Sequence, residues 1–544
     1  MIARMISSST LCHCLLISAI GILLYANTLE VPFLFDDLPS IANNSLIASY
    51  FDTSIPASDK YANMLPDIIN NMDTRKVVYF TFALNYLIHG LDVTVYHIVN
   101  VLIHLAAALA VYALLSALFK TPFFSDNPVS LSVRRGLPLV IALLFVIHPI
   151  QTSAVTYIVQ RFTSLSTLFY LLSITMYLKA RISTKARYQV FFLAASVAIA
   201  IIGMFSKEIV FTLPVIALVC EFMFFKGRSG QRILSLLPLF STMLIIPLNI
   251  LSQIDTSANI KDVFGDSINL ANLDNISQKD YFLTQLRVIV TYIRLLLLPV
   301  NQHLDYDYPI YHSLFNPPVA VSALFLAGIA LVGFWSYRRS CAASPDVWPL
   351  RLFSFGIAWF FITISMSSSI IPLSDMIFEY RLYLPSTGLF ITAAAIVILV
   401  RQKVELAGFR VDRIFPASIL IILLSFCALT VLRNYMWGDP IRFWEDNVAK
   451  APQKMRPREQ LVMHYFLAGK NEEHINQAII LLGMSPNGPD NFKLLNDIAV
   501  NLVKLGRYSE ALAAIERALK IKPGDQRLLL TYEWVLGHVP TKRD

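Results

Sequence analysis

Charge is scarce in this chain. Of 544 residues only 15% are Asp, Glu, Lys or Arg and 56% are hydrophobic, whereas soluble globular proteins carry roughly 25% charged residues. An ordinary soluble domain is excluded. Cysteine is scarce too: Cys12, Cys14, Cys220, Cys341 and Cys427 lie in or beside apolar runs, with neither a disulfide framework nor a zinc spacing. No small-x-small cleavage site closes the first apolar run, 11–29, so Arg4 and that run read as an uncleaved anchor rather than a removed signal peptide.

What the chain has instead is apolar runs near the ~20 residues needed to cross a bilayer. They fall at 11–29, 96–119, 137–158, 162–179, 189–205, 209–225, 232–251, 317–336, 350–371, 384–400 and 414–432. The expected fold class is all-α: a polytopic membrane domain of about 11 spans plus interfacial helices. Basic residues gather in alternate loops: Lys120, Arg134 and Arg135; Lys179, Arg181, Lys185 and Arg187; Lys226, Arg228 and Arg232; Arg338, Arg339 and Arg351; Arg401, Lys403, Arg410 and Arg413. These loops and the N-terminus read as cytoplasmic by the positive-inside rule, which also accounts for the net charge of +8 without nucleic acid. Asp36-Asp37 and everything after residue 432 then face outward.

Residues 281–299 are apolar enough to span, but a span there would exchange the sides of the loops that follow. An interfacial or re-entrant helix on the outer face is expected instead, with Arg287 and Arg294, seven apart, on one of its faces. Residues 77–90 form a 14-residue apolar stretch, too short to cross. The long loops, 30–95 and 252–316, lie outside, and long loops are more often functional than decorative. Beyond residue 440 the composition turns polar. Residues 501–523 fit the tetratricopeptide pattern, with Gly506 at a turn, Ala511 and Ala518 at the helix contact and Pro523 at the end; 456–489 read as a degenerate earlier copy. The domain division is therefore 1–435 in the membrane and 436–544 as outer-face repeats, either a groove for a partner or a docked cap.

Chemistry is expected at the outer edge of the membrane. Asp36-Asp37 follows the first span, and carboxylates there are costly. Cations stand beside the outer ends of spans at Arg161, Lys207 and Arg381, joined by Arg287 and Arg294 on the interfacial helix. Such a set beside one carboxylate pair suggests an anionic ligand, phosphate above all, because a guanidinium offers donors in a fixed fork. Glu208 and Glu379 are placed to orient Lys207 and Arg381, with Tyr383 a further supporting residue. His97 and His104 share a helix face and are expected to bond a neighbouring span. A divalent metal ion on Asp36 and Asp37 stays open, with His303, Asp305 and Asp307 as further ligands, although no histidine stands near the pair in sequence.

Taken in order, Phe35-Asp36-Asp37, His97-x-Val99-Asn100-x-x-x-His104, His148-Pro149, Arg161, Ser206-Lys207-Glu208 and Tyr380-Arg381-Leu-Tyr-Leu-Pro-Ser386, ending in repeats, resemble the GT-C membrane glycosyltransferases. The nearest likeness is to the transmembrane O-mannosyltransferases that modify cadherins and to bacterial relatives with terminal repeats. It covers nearly the whole chain. The Phe-Asp-Asp also resembles the Phe-Asp-Glu of protein O-mannosyltransferases, whose first acidic residue is catalytic. The resemblance implies an inverting glycosyltransferase that takes a sugar from a polyprenyl-phosphate donor, with an acceptor protein or glycan engaged through the repeats. Asp36 would be the general base, Asp37 its helper, and Arg161, Lys207, Arg381, Arg287 and Arg294 the ligands of the donor phosphate. Ser153 stands where animal members tend to carry an acidic residue, so sugar and acceptor are not carried over. A bacterial inner membrane is expected, with periplasmic repeats, or the ER membrane and lumen in a eukaryote. The alternatives are a transporter or flippase of lipid-linked sugars, which internal repeats and mid-span charges would have favoured, and a non-catalytic tetratricopeptide scaffold.

Overall fold

The fold is taken from a computed structural model that describes residues 9–44, 47, 75–127, 129–227, 229–252, 276–341, 347–369, 371–373, 375–408 and 414–538. Arg4, Arg228, Arg410 and Arg413, much of the 30–95 loop and part of the 252–316 loop lie outside the described residues.

Helices are the only regular secondary structure among the described residues, and the all-α expectation is borne out. The membrane helices and those that interrupt them run α1 Thr10–Tyr25, α2 Lys76–His89, α3 Val93–Leu118, α4 Leu131–Ile147, α5 Arg161–Ile182, α6 Ala186–Met204, α7 Leu213–Phe224, α8 Ser229–Ser241, α9 Ile245–Ser252, α10 Gln278–Leu297, α11 Pro317–Arg339, α12 Trp348–Ile364, α13 Pro385–Leu406 and α14 Ile414–Gly438. Each of the eleven expected spans coincides with helical segments. Six are long and apolar enough to cross a bilayer, or seven if α4 and the segment Pro149–Val155, bent from it by 51°, count as one. The bend falls at Pro149, which has no N–H to continue the ladder.

Helix α5 is the instructive exception. Ser166, Ser173 and Thr175 are buried along it, which keeps its hydropathy low. Each hydroxyl satisfies itself on a nearby carbonyl: Ser166 on Thr163 at 3.0 Å, Thr175 on Leu171 at 2.6 Å, and Ser173 across to Ser196 of α6 at 2.8 Å. Small polar residues that find partners in this way pack membrane helices together. Helix α10 has the amphipathic character expected of 281–299: Tyr281, Val288, Tyr292 and Leu295 are buried, while Arg287 and Arg294 are half-exposed. The 77–90 stretch is α2, also too short to span.

The chain divides into two compact units, 1–302 with 309–435, and 303–308 with 436–544. The second contains α15 Pro440–Lys450, α16 Met455–Leu467, α17 Asn471–Met484, α18 Asn491–Lys504, α19 Tyr508–Ile521 and α20 Gln526–His538, each packed on the next. Gly469, Gly506 and Gly524 turn the chain at φ +68°, +74° and +82°, a region costly for other residues. Ala478, Ala499, Ala511 and Ala518 are fully buried where the helices meet. Asp305 belongs to this unit, clasped by Arg456 through two 2.9 Å bonds and by Lys454 at 3.3 Å.

The tightest helix crossing in the membrane unit is that of α12 and α13. A Cβ on Gly356 would lie 2.4 Å from the Gly388 carbonyl oxygen, and one on Gly388 would lie 2.5 Å from the Gly356 carbonyl oxygen. Backbone cannot yield as a side chain does. Gly388→Ala is expected to destabilise the protein by about 1–3 kcal/mol, while Gly328→Ala, with nothing within 4 Å, should be neutral. Thermal unfolding in detergent checks both, and equal losses at the two sites would contradict this packing.

Candidate functional site

The loop after α1 is fastened at three points. His97 of α3 bonds the Val31 carbonyl through Nε2 at 2.8 Å. The Asp37 carboxylate, 1% exposed, accepts the Leu34 amide at 3.0 Å on one oxygen and the Val159 amide at 2.6 Å on the other. Tyr157 supplies the third point: its hydroxyl accepts the Asp36 amide at 3.0 Å and also bonds the Asp36 side chain. Between these anchors Phe35 is held at φ +50°. That conformation costs a non-glycine residue on the order of 1–3 kcal/mol and survives only where its surroundings impose it.

The two carboxylates therefore differ. Burial pushes the Asp37 pKa up to about 8, against the amides of Leu34, Val159 and Ile158 and reinforced by the charge of Asp36. Asp36 is only half-buried. Neighbouring carboxylates in unlike environments take unlike protonation states. With both Asp37 oxygens committed to amides, the pair is poorly suited to share a divalent ion. Among the described residues no group of three or more His, Cys, Asp and Glu could hold a metal.

The cations fall into three situations. Lys207 lies just beyond α6, where its Nζ donates to Thr163 Oγ1 at 2.7 Å and sits 4.7 Å from the centre of the Tyr380 ring. Burial pushes its pKa down to about 7, with Arg75 and Arg381 adding to the effect and Glu208 opposing it. Arg381 donates to the carbonyls of Asp375 at 2.9 Å and Met376 at 3.3 Å, and its charge bears on the hydroxyls of Tyr281 and Tyr292 on α10. Burial opposes its charge, yet Tyr292, Tyr380, Tyr281 and Asp375 together hold it more firmly protonated than usual. Tyr292 also brackets Phe378, its hydroxyl donating to the carbonyl and accepting the amide, both at 3.1 Å. Tyr380 feels the charges of Arg381, Asp36 and Arg75, so it links the Asp36 loop to this group.

Arg161 is elsewhere. It is fully buried, with Nε on Asn100 at 2.7 Å, Nη1 on Asn85 at 2.6 Å and Thr81 at 3.3 Å, and Nη2 on the Tyr96 carbonyl at 3.1 Å. All three nitrogens are engaged, and the guanidinium lies 4.5 Å from the Phe82 ring centre. It brackets α2, α3 and α5, a placement that does not fit a phosphate ligand. Arg287 is half-exposed on α10, and Arg294 donates to the Val300 carbonyl at 3.0 Å; neither bears on Tyr380 or Lys207 among the described contacts. Tyr383 points into the membrane core, bonded to His104 at 2.7 Å. Glu379 accepts from Gln302 at 3.1 Å, while Arg381 is oriented by carbonyls. Glu208, partly exposed, is paired with Arg75; its partial desolvation is outweighed by the charges of Arg75 and Lys207, which hold its carboxyl below the usual range. His303 stacks on Tyr306, and Asp305 is spent on Arg456.

Sequence reasoning missed Arg75, Thr163 and Tyr157, and it gave Tyr380 no role of its own. The one available signal was Arg75-Lys76, a basic pair at the end of a loop expected outside, where positive-inside bias does not put one. Four residues beyond Lys207 in the chain, Phe211 begins one wall of an apolar cavity of about 430 Å³, with Thr212 and Val215 beside it and Phe361, Ile362, Ser365, Met366 and Ser369 completing its lining.

No protein-family model and no solved structure matches the chain. Curated relatives do match. Protein O-mannosyl-transferase F38B6.6 of Caenorhabditis elegans is 24% identical over 447 residues, 80% of this chain and 58% of that protein. Human protein O-mannosyl-transferase TMTC3 is 26% identical over 399 residues, 68% and 40%. Protein O-mannosyl-transferase tmtc2 of Xenopus laevis is 37% identical over 166 residues, 30% and 18%. The chain thus spans less than two thirds of the length of each, and the resemblance read from its motifs is borne out.

If Arg161 is a bracket, Arg161→Ala should cost stability, on the order of 3–5 kcal/mol, because it leaves buried acceptors on Asn85 and Asn100 unpaired. Lys207→Ala should cost little. Melting temperatures in detergent decide; an Arg161→Ala protein as stable as its parent would contradict the bracket.

Proposed function

We propose that this chain is an integral-membrane glycosyltransferase that moves a sugar from a polyprenyl-phosphate-linked donor to an acceptor hydroxyl on the outer face, with inversion. The observation that supports the reading is the Tyr380 ring, which lies 4.7 Å from Lys207 and feels the charges of Arg381, Asp36 and Arg75, so that Asp36 and the cations share one electrostatic neighbourhood. The names of the relatives support transfer of mannose to protein, and the repeats are the natural surface to engage that protein. The apolar cavity beside Glu208–Thr212 suits a polyprenyl chain whose phosphate reaches the cations. We place the site on the periplasmic face of a bacterial inner membrane, with the N-terminus cytoplasmic and the tetratricopeptide-like unit outside.

The mechanism follows from the groups present. The acceptor hydroxyl lies against Asp36, which takes its proton as the new C–O bond forms. Tyr157 fixes the carboxylate and Asp37 fixes the loop that carries it. The C–O bond to the lipid phosphate breaks in the same displacement, so the anomeric centre inverts. Charge gathers on the leaving phosphate, and Lys207 and Arg381, already oriented by Thr163 and by the carbonyls of Asp375 and Met376, stabilise it without having to reorganise. A leaving phosphate needs no general acid.

Asp36→Asn should lower transfer from a radiolabelled polyprenyl-phosphate sugar by about 10²–10⁴-fold, the usual contribution of a general base; transfer equal to the parent would overturn the mechanism. Donor binding should also depend on pH. Lys207 is charged below about pH 7, so the donor KM should be low there and rise as pH climbs past that value. Lys207→Arg, charged throughout, should flatten the rise, and a rise that persists unchanged in this variant would remove Lys207 from the phosphate site.

A further inference from the structure

Arg75, the residue just before α2, clasps Glu208 with two nitrogens, Nε to Oε1 at 3.1 Å and Nη2 to Oε2 at 3.3 Å. This two-pronged geometry is the one in which a guanidinium takes a carboxylate or a phosphate alike. The pair stands at the edge of the cation cluster: Arg75 bears electrostatically on Lys207 and Tyr380, and Glu208 adjoins Lys207 in the chain. It is also open, with the two side chains 35% and 27% exposed, and the Arg75 guanidinium lies 5.2 Å from the Phe162 ring centre.

Openness decides what such a pair can do. Another bidentate pair in this unit, Arg181 with Glu221, has its carboxylate fully buried and held by Tyr177 as well. Parting it would strand a charge away from water, so it is a fixed strut. A half-exposed pair gives up little when one partner is exchanged, because water and the next ion compensate.

We propose that Glu208 is a resident stand-in for the donor phosphate: it holds Arg75 in the geometry of an anion clasp and yields it to the phosphate as the donor arrives. Arg75 then becomes a third phosphate ligand beside Lys207 and Arg381, and Glu208 sets the affinity by competing with the donor. This inference rests on the phosphate-linked donor proposed above. Glu208 excludes weak anions from the clasp, while a polyprenyl phosphate, anchored also through its chain, displaces it.

The test is equilibrium binding of a sugar-free polyprenyl phosphate to the full-length protein in detergent, with inorganic phosphate as competitor in a second arm. Arg75→Ala should weaken binding roughly ten- to hundredfold, the value of a charge-assisted two-pronged contact; Arg75→Lys, which keeps charge but loses the fork, should fall between. Glu208→Gln should tighten binding about two- to fivefold, as expected for release from a half-exposed pair, and should let inorganic phosphate compete more effectively. In the Arg75→Ala background Glu208→Gln should have no further effect. If Glu208→Gln weakens binding as Arg75→Ala does, Glu208 orients Arg75 rather than competing for its ligand, and the inference is overturned. Tight binding that is the same in the parent and every variant would overturn the inference alone. A folded parent that binds no polyprenyl phosphate would overturn the donor reading and the inference together.

Discussion

Two backbone amides, those of Leu34 and Val159, end on the one carboxylate of Asp37. This buried contact joins the loop after the first span to the turn before α5, and the position of Asp36 depends on it. With the His97 and Tyr157 anchors, it holds Phe35 at positive φ and keeps the Asp36 amide against Tyr157. The contact also separates the two aspartates chemically. One carboxylate spends its lone pairs on the fold, and the other is left beside the cations. The proposed division into base and helper is thus supported by environment as well as by resemblance.

The cation side is built on a similar economy of parts. Helix α10 lies along the membrane unit and presents Tyr281, Gln285 and Tyr292 to the 367–378 segment. Those contacts fix Phe378, and with it Tyr380 and Arg381 in the next turn. Lys207 arrives from the opposite side, between α6 and α7, and meets the Tyr380 ring. Lys207 and Arg381 are positioned by neutral partners, a hydroxyl, two carbonyls and a ring face, which leaves their charge available to a ligand, whereas Arg75 is held by Glu208. Arg161 differs because its partners enclose it.

The sequence made the helical fold legible, because apolar runs report directly on the bilayer, and the basic loops suggested an outer position for Asp36-Asp37. The amphipathic α10 was legible for the same reason. What stayed hidden depends on distant partners. Arg161 looks like any cation beside a span until Asn85, Asn100 and Tyr96, from two other helices, close around it. Tyr383 sits in the Tyr380–Ser386 motif yet turns inward to His104, since residues of a short turn need not share a face. Arg75 was passed over because nothing near it in sequence forecasts Glu208, which lies 133 residues further along the chain, beyond α2 to α6.

The central claim is that the donor phosphate rests on Lys207 and Arg381 with the sugar facing Asp36. A cryo-EM structure of the Asp36→Asn protein with a polyprenyl-phosphate sugar measures this most directly. The account predicts phosphate oxygens within ion-pair distance of both cations, with the anomeric carbon on the side of residue 36 and the chain in the cavity between Phe211 and Phe361. A phosphate bound away from Lys207 and Arg381, with the sugar remote from residue 36, would contradict it.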